Sequence, residues 1–297
     1  MGLVTSRLRL LLQAKKDGVN FNSILTLGHQ KININKKKLN YLKNEFKLNQ
    51  EIVDDFDTDN RSFNNTFLKS ILNVKNLSVM DYSDYQGANI LHDLNYPIPE
   101  TLEESFDVVI DGGTLEHIFN FPVAIENCMK MVRVGGSVFI FSMANNHCGH
   151  GFYQFSPELF FRIFDNNNGF ETKSIALMRH PFPGAELSER QDCYKVIDPA
   201  ILKRRNSLVS NSPLGIMVHA IKTKKIKIFR VYPFQSDYSN TWEEYNTSIK
   251  HNNFTGNSKL KLIFEKLPKQ IKNNIIGLRQ LWKFSLKRDK QAYRKLT

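Results

Sequence analysis

The chain has 297 residues, of which 41% are hydrophobic and 24% are charged. This balance is typical of a soluble globular protein with one large domain and an appendage, or with two small domains. No apolar run approaches the roughly 20 residues that a membrane-spanning helix requires. The three cysteines are widely spaced and odd in number, so they indicate no disulfide framework and favour a reducing compartment such as the cytoplasm.

The formal net charge of the chain is +12, and most of it lies in one segment. Residues 258–297 hold 12 basic and 2 acidic side chains, whereas the rest of the chain is close to neutral. A protein that binds nucleic acid through its main domain usually has basic residues spread over that domain. The charge distribution therefore disfavours nucleic acid as a partner of the main domain.

The body of the chain alternates strand-like apolar runs with helical patterns, which predicts a mostly parallel sheet covered by helices. The N-terminal leucine cluster, interrupted by Arg7 and Arg9, predicts an amphipathic first helix. Pro122 and Ser156 mark the starts of two later helices, as the first-turn proline and the N-cap respectively. Seven strands are predicted, at residues 23–28, 77–81, 88–92, 106–111, 137–143, 174–178 and 214–221.

Three stretches of the sequence occur in an order and spacing that match a known family. They are Phe-Asp-Val-Val-Ile-Asp-Gly-Gly-Thr-Leu-Glu-His at 106–117, Met-Val-Arg-Val-Gly-Gly at 131–136, and Gly-Phe-Tyr-Gln-Phe-Ser-Pro-Glu-Leu at 151–159. Together they resemble the methyltransferase type 11/12/23 group of class I S-adenosylmethionine (SAM)-dependent methyltransferases, of the kind found in surface-polysaccharide gene clusters. The resemblance implies a Rossmann-like α/β fold, with a seven-stranded, mostly parallel sheet and helices on both faces. It also implies SAM as the cofactor.

The same resemblance implies where the cofactor is held. Asp81 resembles the second-strand acid that binds the ribose hydroxyls, and Asp93 resembles the third-strand acid that accepts a hydrogen bond from adenine. Paired glycines after the fourth strand would let the backbone approach the cofactor closely. The predicted contact set is Gly28, Asp81, Asp93, Asp111, Gly112 and Gly113. For Asp81 and Asp93, an alternative role is to cap the turn after the strand.

The first motif departs from the family pattern. Residues 25–30 contain one glycine and no acid, where the family has an acidic residue and a glycine-rich loop. The interval from Gly28 to Asp81 is also longer than a single helix requires. Two alternatives follow: a remodelled loop that holds SAM, or a non-catalytic Rossmann-like binding or scaffold subunit that has lost its cofactor site.

For methyl transfer to a hydroxyl, the protein must align the acceptor and accept its proton. Histidine is the common base near neutral pH, and His150 lies in a glycine-flanked loop after the fifth strand. We therefore predict His150 as the catalytic base, with a purely structural turn as the alternative. Glu116 and His117 are expected to form a structural turn. His147, Cys148 and His150 lack a further ligand at metal-site spacing, so the sequence predicts no metal site.

The predicted organisation is a methyltransferase domain at residues 1–228 and a C-terminal extension at 229–297. An aromatic-rich stretch at 231–242 is expected to pack on the core. One face of a basic helix carries Ile271, Ile275, Leu278 and Trp282. Such a helix packs on the domain or a second subunit, or lies on an anionic membrane surface; nucleic acid is a third alternative. The expected function is SAM-dependent O-methylation of a sugar or glycan-precursor acceptor at a cytoplasmic, membrane-adjacent site.

Overall fold

The computed structural model describes residues 2–54, 65–182, 191–238 and 268–296, and these residues form eleven strands in two sheets. The strands are β1 (Gly2–Val4), β2 (Ser23–Leu27), β3 (Lys31–Asn33), β4 (Asn76–Asp81), β5 (Ile90–Leu91), β6 (Phe106–Asp111), β7 (Val132–Asn145), β8 (Phe170–Arg179), β9 (Asp192–Val196), β10 (Leu214–Lys222) and β11 (Tyr293–Lys295). Strands β1 and β3 pair in parallel as a small separate sheet, and the other nine form the main sheet.

Helices flank the main sheet and connect its strands. They include α1 (Thr5–Lys16), α2 (Lys36–Phe46), α3 (Gln50–Asp54), α4 (Asn65–Leu72), α5 (Phe121–Met131), α6 (Pro157–Ile163), α7 (Pro199–Leu202) and α8 (Lys269–Lys283). Two predicted helix starts are confirmed, since Pro122 lies in the first turn of α5 and the Ser156 side chain accepts a hydrogen bond from the Glu158 N–H. No helix in the described part of the chain is long and apolar enough to cross a membrane.

The main sheet has the order β11-β9-β8-β10-β7-β6-β2-β4-β5. Strands β5, β4, β2, β6 and β7 run parallel, and β10 is antiparallel between β7 and β8. Counted along the chain, the parallel strands follow the doubly wound order 3-2-1-4-5, whose direction of progression reverses between β2 and β6. Ligands of such sheets bind at the carboxyl ends of the strands near this reversal.

Strand β6 shows why this sheet is covered on both faces. All six of its residues are buried, as a central parallel strand requires. Because side chains alternate between faces, Val108 and Ile110 pack with α1 and α4, whereas Val109 packs in the opposite layer with α5. The two hydrophobic layers hold the strand ends in place, so residues that follow the strands are positioned by the core.

The predicted Rossmann-like fold is confirmed, and all seven predicted strands are present. The main sheet has nine strands rather than seven, because the short strands β9 and β11 extend one edge. Helix α5 ends at Met131, and the paired glycines Gly135 and Gly136 belong to β7.

The C-terminal residues of the described chain return to the main sheet. Strand β11 pairs with β9, and the Arg204 guanidinium forms an ion pair with Asp289 just before β11. The predicted division at residue 228 stays a prediction. In the predicted aromatic-rich stretch at 231–242, the Ser236 N–H donates to Glu158 at 2.8 Å and Asp237 pairs with Arg205, while the Tyr232 and Phe234 side chains are more than half exposed; residues 239–242 lie outside the described ranges.

Candidate functional site at the carboxyl ends of the strands

Gly28 and Asp81 meet at the reversal point of the sheet. Gly28 follows β2 with a φ of 66°, and its N–H donates to the Met80 carbonyl of the neighbouring strand at 2.7 Å. A Cβ at Gly28 would lie 3.7 Å from both Asp81 Oδ2 and Thr114 Oγ1. The ends of β2, β4 and β6 therefore open onto one common space, as their predicted roles require.

The Asp81 carboxylate is half-buried at the end of β4. Its Oδ1 accepts a hydrogen bond from the Tyr82 N–H at 2.7 Å, which fixes the orientation of the side chain. Its Oδ2 faces Gly28. An oriented carboxylate oxygen beside a residue without a side chain can accept hydrogen bonds from the hydroxyls of a bound ribose.

Asp93 lies on the neighbouring side of the same edge. Asp81 pairs with Leu91 of β5, and Asp93 follows two residues later. Asp93 Oδ1 accepts hydrogen bonds from the backbone and side-chain nitrogens of Asn95 at 2.9 and 2.8 Å. These hydrogen bonds lower the pKa of Asp93, so its carboxylate stays ionised. Asp93 thus caps its own turn, which is the alternative role that was predicted from the sequence. Its carboxylate oxygens can still accept further hydrogen bonds from a ligand.

The turn after β6 is organised by Asp111. Asp111 Oδ1 accepts from the Gly113 and Thr114 N–H groups at 3.1 and 2.7 Å, and the Thr114 hydroxyl donates to the Leu27 carbonyl. Gly113 has a φ of 110°, a backbone conformation that residues with a side chain rarely adopt. Asp111 is only 1% exposed, so its carboxylate supports the turn from beneath. Burial, together with the charge of Glu116, raises the pKa of Asp111 to about 7.

Gly112 is approached closely by Gln30. A Cβ on Gly112 would lie 1.7 Å from Gln30 Oε1, so a larger residue there would displace the Gln30 amide. Gln30 Nε2 donates to the carbonyls of Leu27 and Gly28, which holds the amide across the ends of β2 and β6. Its Oε1 is buried and makes no hydrogen bond within the described chain. The close approach that was predicted for a cofactor at Gly112 is made here by a side chain of the protein.

His150 lies beside Glu116 on the other side of the turn. Its Nε2 is 3.5 Å from Glu116 Oε1, and about a third of its side chain is exposed. The loop that carries it is held by backbone hydrogen bonds, because the Phe152 and Tyr153 N–H groups both donate to the Glu116 carbonyl. His150 also closes a turn of its own, since its N–H donates to the His147 carbonyl at 2.9 Å.

A buried charge network lies beneath the site, and sequence reasoning missed it. Glu116 is fully buried, and its Oε2 accepts from the Ser142 hydroxyl at 2.8 Å. Burial raises the pKa of Glu116, but the contact with His150 and the hydrogen bond from Ser142 outweigh it and hold the pKa below its usual value. Arg7 of α1 is also fully buried, and desolvation lowers its pKa to about 10 while Glu116 and Asp111 oppose that shift.

Arg7 had a recognisable signal in the sequence. It shares one face of α1 with the buried Leu11 and Ala14, at spacings of four and three residues. An arginine on the apolar face of a helix needs a buried anionic or carbonyl partner. Arg7 Nη1 donates to the Gly2 carbonyl at 2.7 Å, and its guanidinium lies 5.6 Å from the centre of the Phe141 ring.

No protein-family model and no curated protein sequence matches the chain. Among solved structures, a SAM-dependent methyltransferase from Thermotoga maritima is similar at 14% identity over 72% of this chain and 89% of that chain, with a TM-score of 0.38. The 1,6-didemethyltoxoflavin-N1-methyltransferase of Burkholderia thailandensis, crystallised with S-adenosylhomocysteine, is similar at 12% identity, with coverages of 74% and 78% and a TM-score of 0.38.

A branched-chain polyamine synthase from Thermus thermophilus is also similar, at 13% identity over 79% of this chain and 62% of that chain, with a TM-score of 0.38. Likenesses this weak assign neither a function nor residue roles to this chain. The fold is a doubly wound, Rossmann-like α/β sheet with an antiparallel strand between β7 and β8.

Proposed function

We propose that the chain is a SAM-dependent methyltransferase that methylates oxygen on a small-molecule acceptor, a sugar or glycan precursor. The observation that carries this proposal is the convergence of Gly28, Asp81 and Thr114 at the reversal point of the sheet. The Glu116–His150 pair follows the same strand end. A cofactor pocket and a candidate base at one edge are what methyl transfer requires.

The described residues fit the cofactor by their chemistry. Asp81 offers an oriented carboxylate oxygen for the ribose, and Asp93 offers an ionised carboxylate for the adenine amino group. The unsatisfied Gln30 Oε1 at the same edge is a further acceptor. When bound, SAM supplies a methyl group on a positively charged sulfur, which is already a good electrophile.

The chain itself then has to align the acceptor hydroxyl and accept its proton. His150 Nδ1 accepts the proton, because the ring is partly exposed whereas its Nε2 is buried against Glu116. The Glu116 carboxylate at 3.5 Å stabilises the resulting imidazolium, and Ser142 keeps that carboxylate in place. Solvent then takes the proton from the exposed ring.

Gln30 favours a second candidate, a binding or scaffold subunit without cofactor. Its amide fills the space against Gly112 in which the cofactor was predicted to approach the backbone. β2 also lacks the acid of the family motif. In this candidate, the edge is closed by Gln30 and the protein acts through other surfaces.

Calorimetric titration with SAM and with S-adenosylhomocysteine separates the two candidates. For the methyltransferase, we expect binding in the micromolar range that Asp81→Ala weakens by at least about tenfold, since a buried ribose hydroxyl would lose its acceptor. Asp84→Ala is the matched control, because this exposed aspartate lies three residues away and the substitution changes the net charge equally. Absence of binding to well-folded protein favours the scaffold candidate.

Helix α8 supports a further part of the proposal, contact with an anionic membrane surface. Its apolar face is exposed: Ile271, Ile275, Ile276, Leu278 and Trp282 are between 41% and 66% exposed. Basic side chains of the same helix, which include Lys269, Arg279 and Lys283, complement anionic lipid headgroups. A methyltransferase that acts on membrane-linked glycan precursors would be held near its acceptor by such a helix.

Vesicle sedimentation tests this contact. The protein should sediment with phosphatidylserine-containing vesicles and stay in solution with pure phosphatidylcholine vesicles. Ile275→Asp should abolish sedimentation, whereas Ile201→Asp, at an exposed isoleucine of α7, should leave it unchanged. Equal behaviour of the two variants, or equal binding to both vesicle types, would refute the membrane contact.

A further inference from the structure

The structure brings together three side chains that the sequence analysis had not assigned to a metal. One ligand atom each from Glu116, His117 and His150 can be chosen so that all lie within 4.8 Å of one another. We propose that these three residues bind a divalent transition-metal ion. The ion site itself is independent of the proposed function, but its role in catalysis rests on it.

The donor set suits such an ion. Two imidazole nitrogens and one carboxylate are the ligands that Zn²⁺ and Fe²⁺ take in catalytic sites with open positions. Ligand atoms about 2.1 Å from a tetrahedral ion lie about 3.4 Å apart. The 3.5 Å between His150 Nε2 and Glu116 Oε1 already matches this separation. His117 is exposed, so rotation of its side chain can bring it into the same geometry.

The Glu116 carboxylate has one oxygen available to bind a cation. Glu116 Oε1 is buried and has no hydrogen bond within the described residues, whereas Oε2 is held by Ser142. This is the arrangement of a metal-binding carboxylate, with one oxygen oriented by a neighbour and the other available. A buried acceptor atom without a donor is costly, and an ion would remove that cost.

The loop that carries His150 is built against Glu116. Gly151 has a φ of 71°, and a Cβ there would lie 2.7 Å from the Glu116 carbonyl oxygen. The Phe152 N–H donates to the same carbonyl at 2.8 Å. These contacts fix His150 relative to Glu116 before any ligand arrives, so ion binding requires little reordering.

The surroundings indicate the class of molecule that would complete the site. Phe119 and Phe152 flank the cluster in an edge-to-face pair with ring centres 5.8 Å apart, and they are 73% and 67% exposed. Exposed rings beside an ion with open positions suit an acceptor that has an apolar face and neighbouring hydroxyls, as sugars do. We therefore assign the open positions to a hydroxyl of the methyl acceptor.

The reaction balances with the ion in place. The ion polarises the bound hydroxyl, whose proton leaves to solvent, because His150 is then a ligand rather than the base. The oxygen forms a bond to the methyl carbon, and the electrons of the carbon–sulfur bond remain on sulfur. A positively charged sulfonium thus becomes a neutral thioether, and one proton is released.

Cobalt binding tests the site without reference to SAM. Chelator-treated full-length protein is titrated with Co²⁺ and followed by visible absorption. We expect one equivalent to bind with the intense bands of four- or five-coordinate Co²⁺. His117→Ala and His150→Ala should each weaken Co²⁺ binding by at least about tenfold. This is the loss that removal of a residue behind a ligand already causes, and removal of a ligand itself should cost no less.

Two variants serve as controls. Cys148→Ser removes an exposed thiol next to the site, and His92→Ala removes a histidine outside it; both should bind Co²⁺ like the wild type. Binding that persists in both cluster variants, or that disappears in Cys148→Ser, would overturn the proposal, as would absence of binding. The SAM titration is run with chelator present, so failure of the ion site and failure of the cofactor site are distinguishable.

Discussion

The edge of the sheet at which we place the cofactor has two sides, one with buried charged side chains and one with partly exposed charged side chains. The buried side consists of Arg7, Asp111 and Glu116, and the open side consists of Asp81, Asp93 and His150. The side chains of the buried side are at most 1% exposed, and each forms a hydrogen bond with another residue of the protein. Those of the open side are partly exposed and retain capacity for a ligand.

This difference separates the contributions of the two sides to stability and function. A buried charge that loses its partner is left desolvated, which costs several kcal/mol. A partly exposed carboxylate keeps its hydration, so its removal costs little. The buried side should therefore govern folding, whereas the open side should govern binding, even though both follow the same strands.

The largest effect is expected for Arg7→Met. This substitution removes a buried positive charge that interacts with Glu116 and Asp111, and it should lower the free energy of unfolding by about 3–5 kcal/mol. Urea denaturation followed by circular dichroism measures this change. Arg9→Met is the matched control on the same helix. It removes a partly exposed ion pair with Glu45 and should cost less than about 1 kcal/mol.

A pH titration extends the comparison to a buried group elsewhere in the sheet. Burial lowers the pKa of His219 to about 4 from its ordinary 6.5. Between these values the unfolded chain binds more protons than the folded one, so stability is lost as pH falls from 6.5 towards 4. The loss should reach up to about 3 kcal/mol.

His219→Gln should flatten this pH dependence of the unfolding free energy, because the amide does not titrate. His92→Gln should leave it unchanged, since the His92 ring is partly exposed and bonds only to the Tyr96 carbonyl among described contacts. An identical slope in wild type and His219→Gln would show that His219 is not the group responsible.

The next effect in size concerns the loop that joins the two sides. Gly151→Ala places a Cβ against the Glu116 carbonyl in a left-handed conformation, so it should destabilise the protein by about 1–3 kcal/mol. It should also displace His150 and lower methyl transfer and Co²⁺ affinity. Gly149→Ala is the control, since no atom lies within 4 Å of its added Cβ. Similar behaviour of the two variants would contradict the proposed positioning.

The smallest effect on stability is expected on the open side. Asp81→Ala should change the free energy of unfolding by less than about 0.5 kcal/mol, because its one hydrogen bond goes to an exposed backbone N–H. Urea denaturation beside Arg7→Met measures the contrast directly. A loss as large as that of Arg7→Met would remove the distinction between the two sides.

The strands that carry the edge were predictable because their signal is local. Residues 108–110 form an uninterrupted apolar run between Asp107 and Asp111, and a central strand buried on both faces produces that pattern. The residues that end such strands are fixed by chain order, which is why Gly28 and Asp81 could be placed together. Strands β9 and β11 were missed because each is short, and β11 also depends on a partner about 100 residues away.

The contacts within the site were less predictable, since they join distant parts of the chain. His150 and Glu116 are separated by 34 residues of helix and strand, and their distance depends on where the loop at Gly151 docks. His150 was therefore predicted without its partner, and a metal site was excluded from local spacing alone. The contact between Gln30 and Gly112 could not be predicted either, because Gln30 follows β2 whereas Gly112 follows β6.

The cofactor site is tested by the affinity of the chelator-treated wild type for S-adenosylhomocysteine, measured by calorimetry beside Asp81→Ala. We expect micromolar binding by the wild type and loss of binding in Asp81→Ala with an unchanged unfolding midpoint. A well-folded wild type that shows no binding, or equal affinity in both proteins, would contradict a cofactor site at this edge.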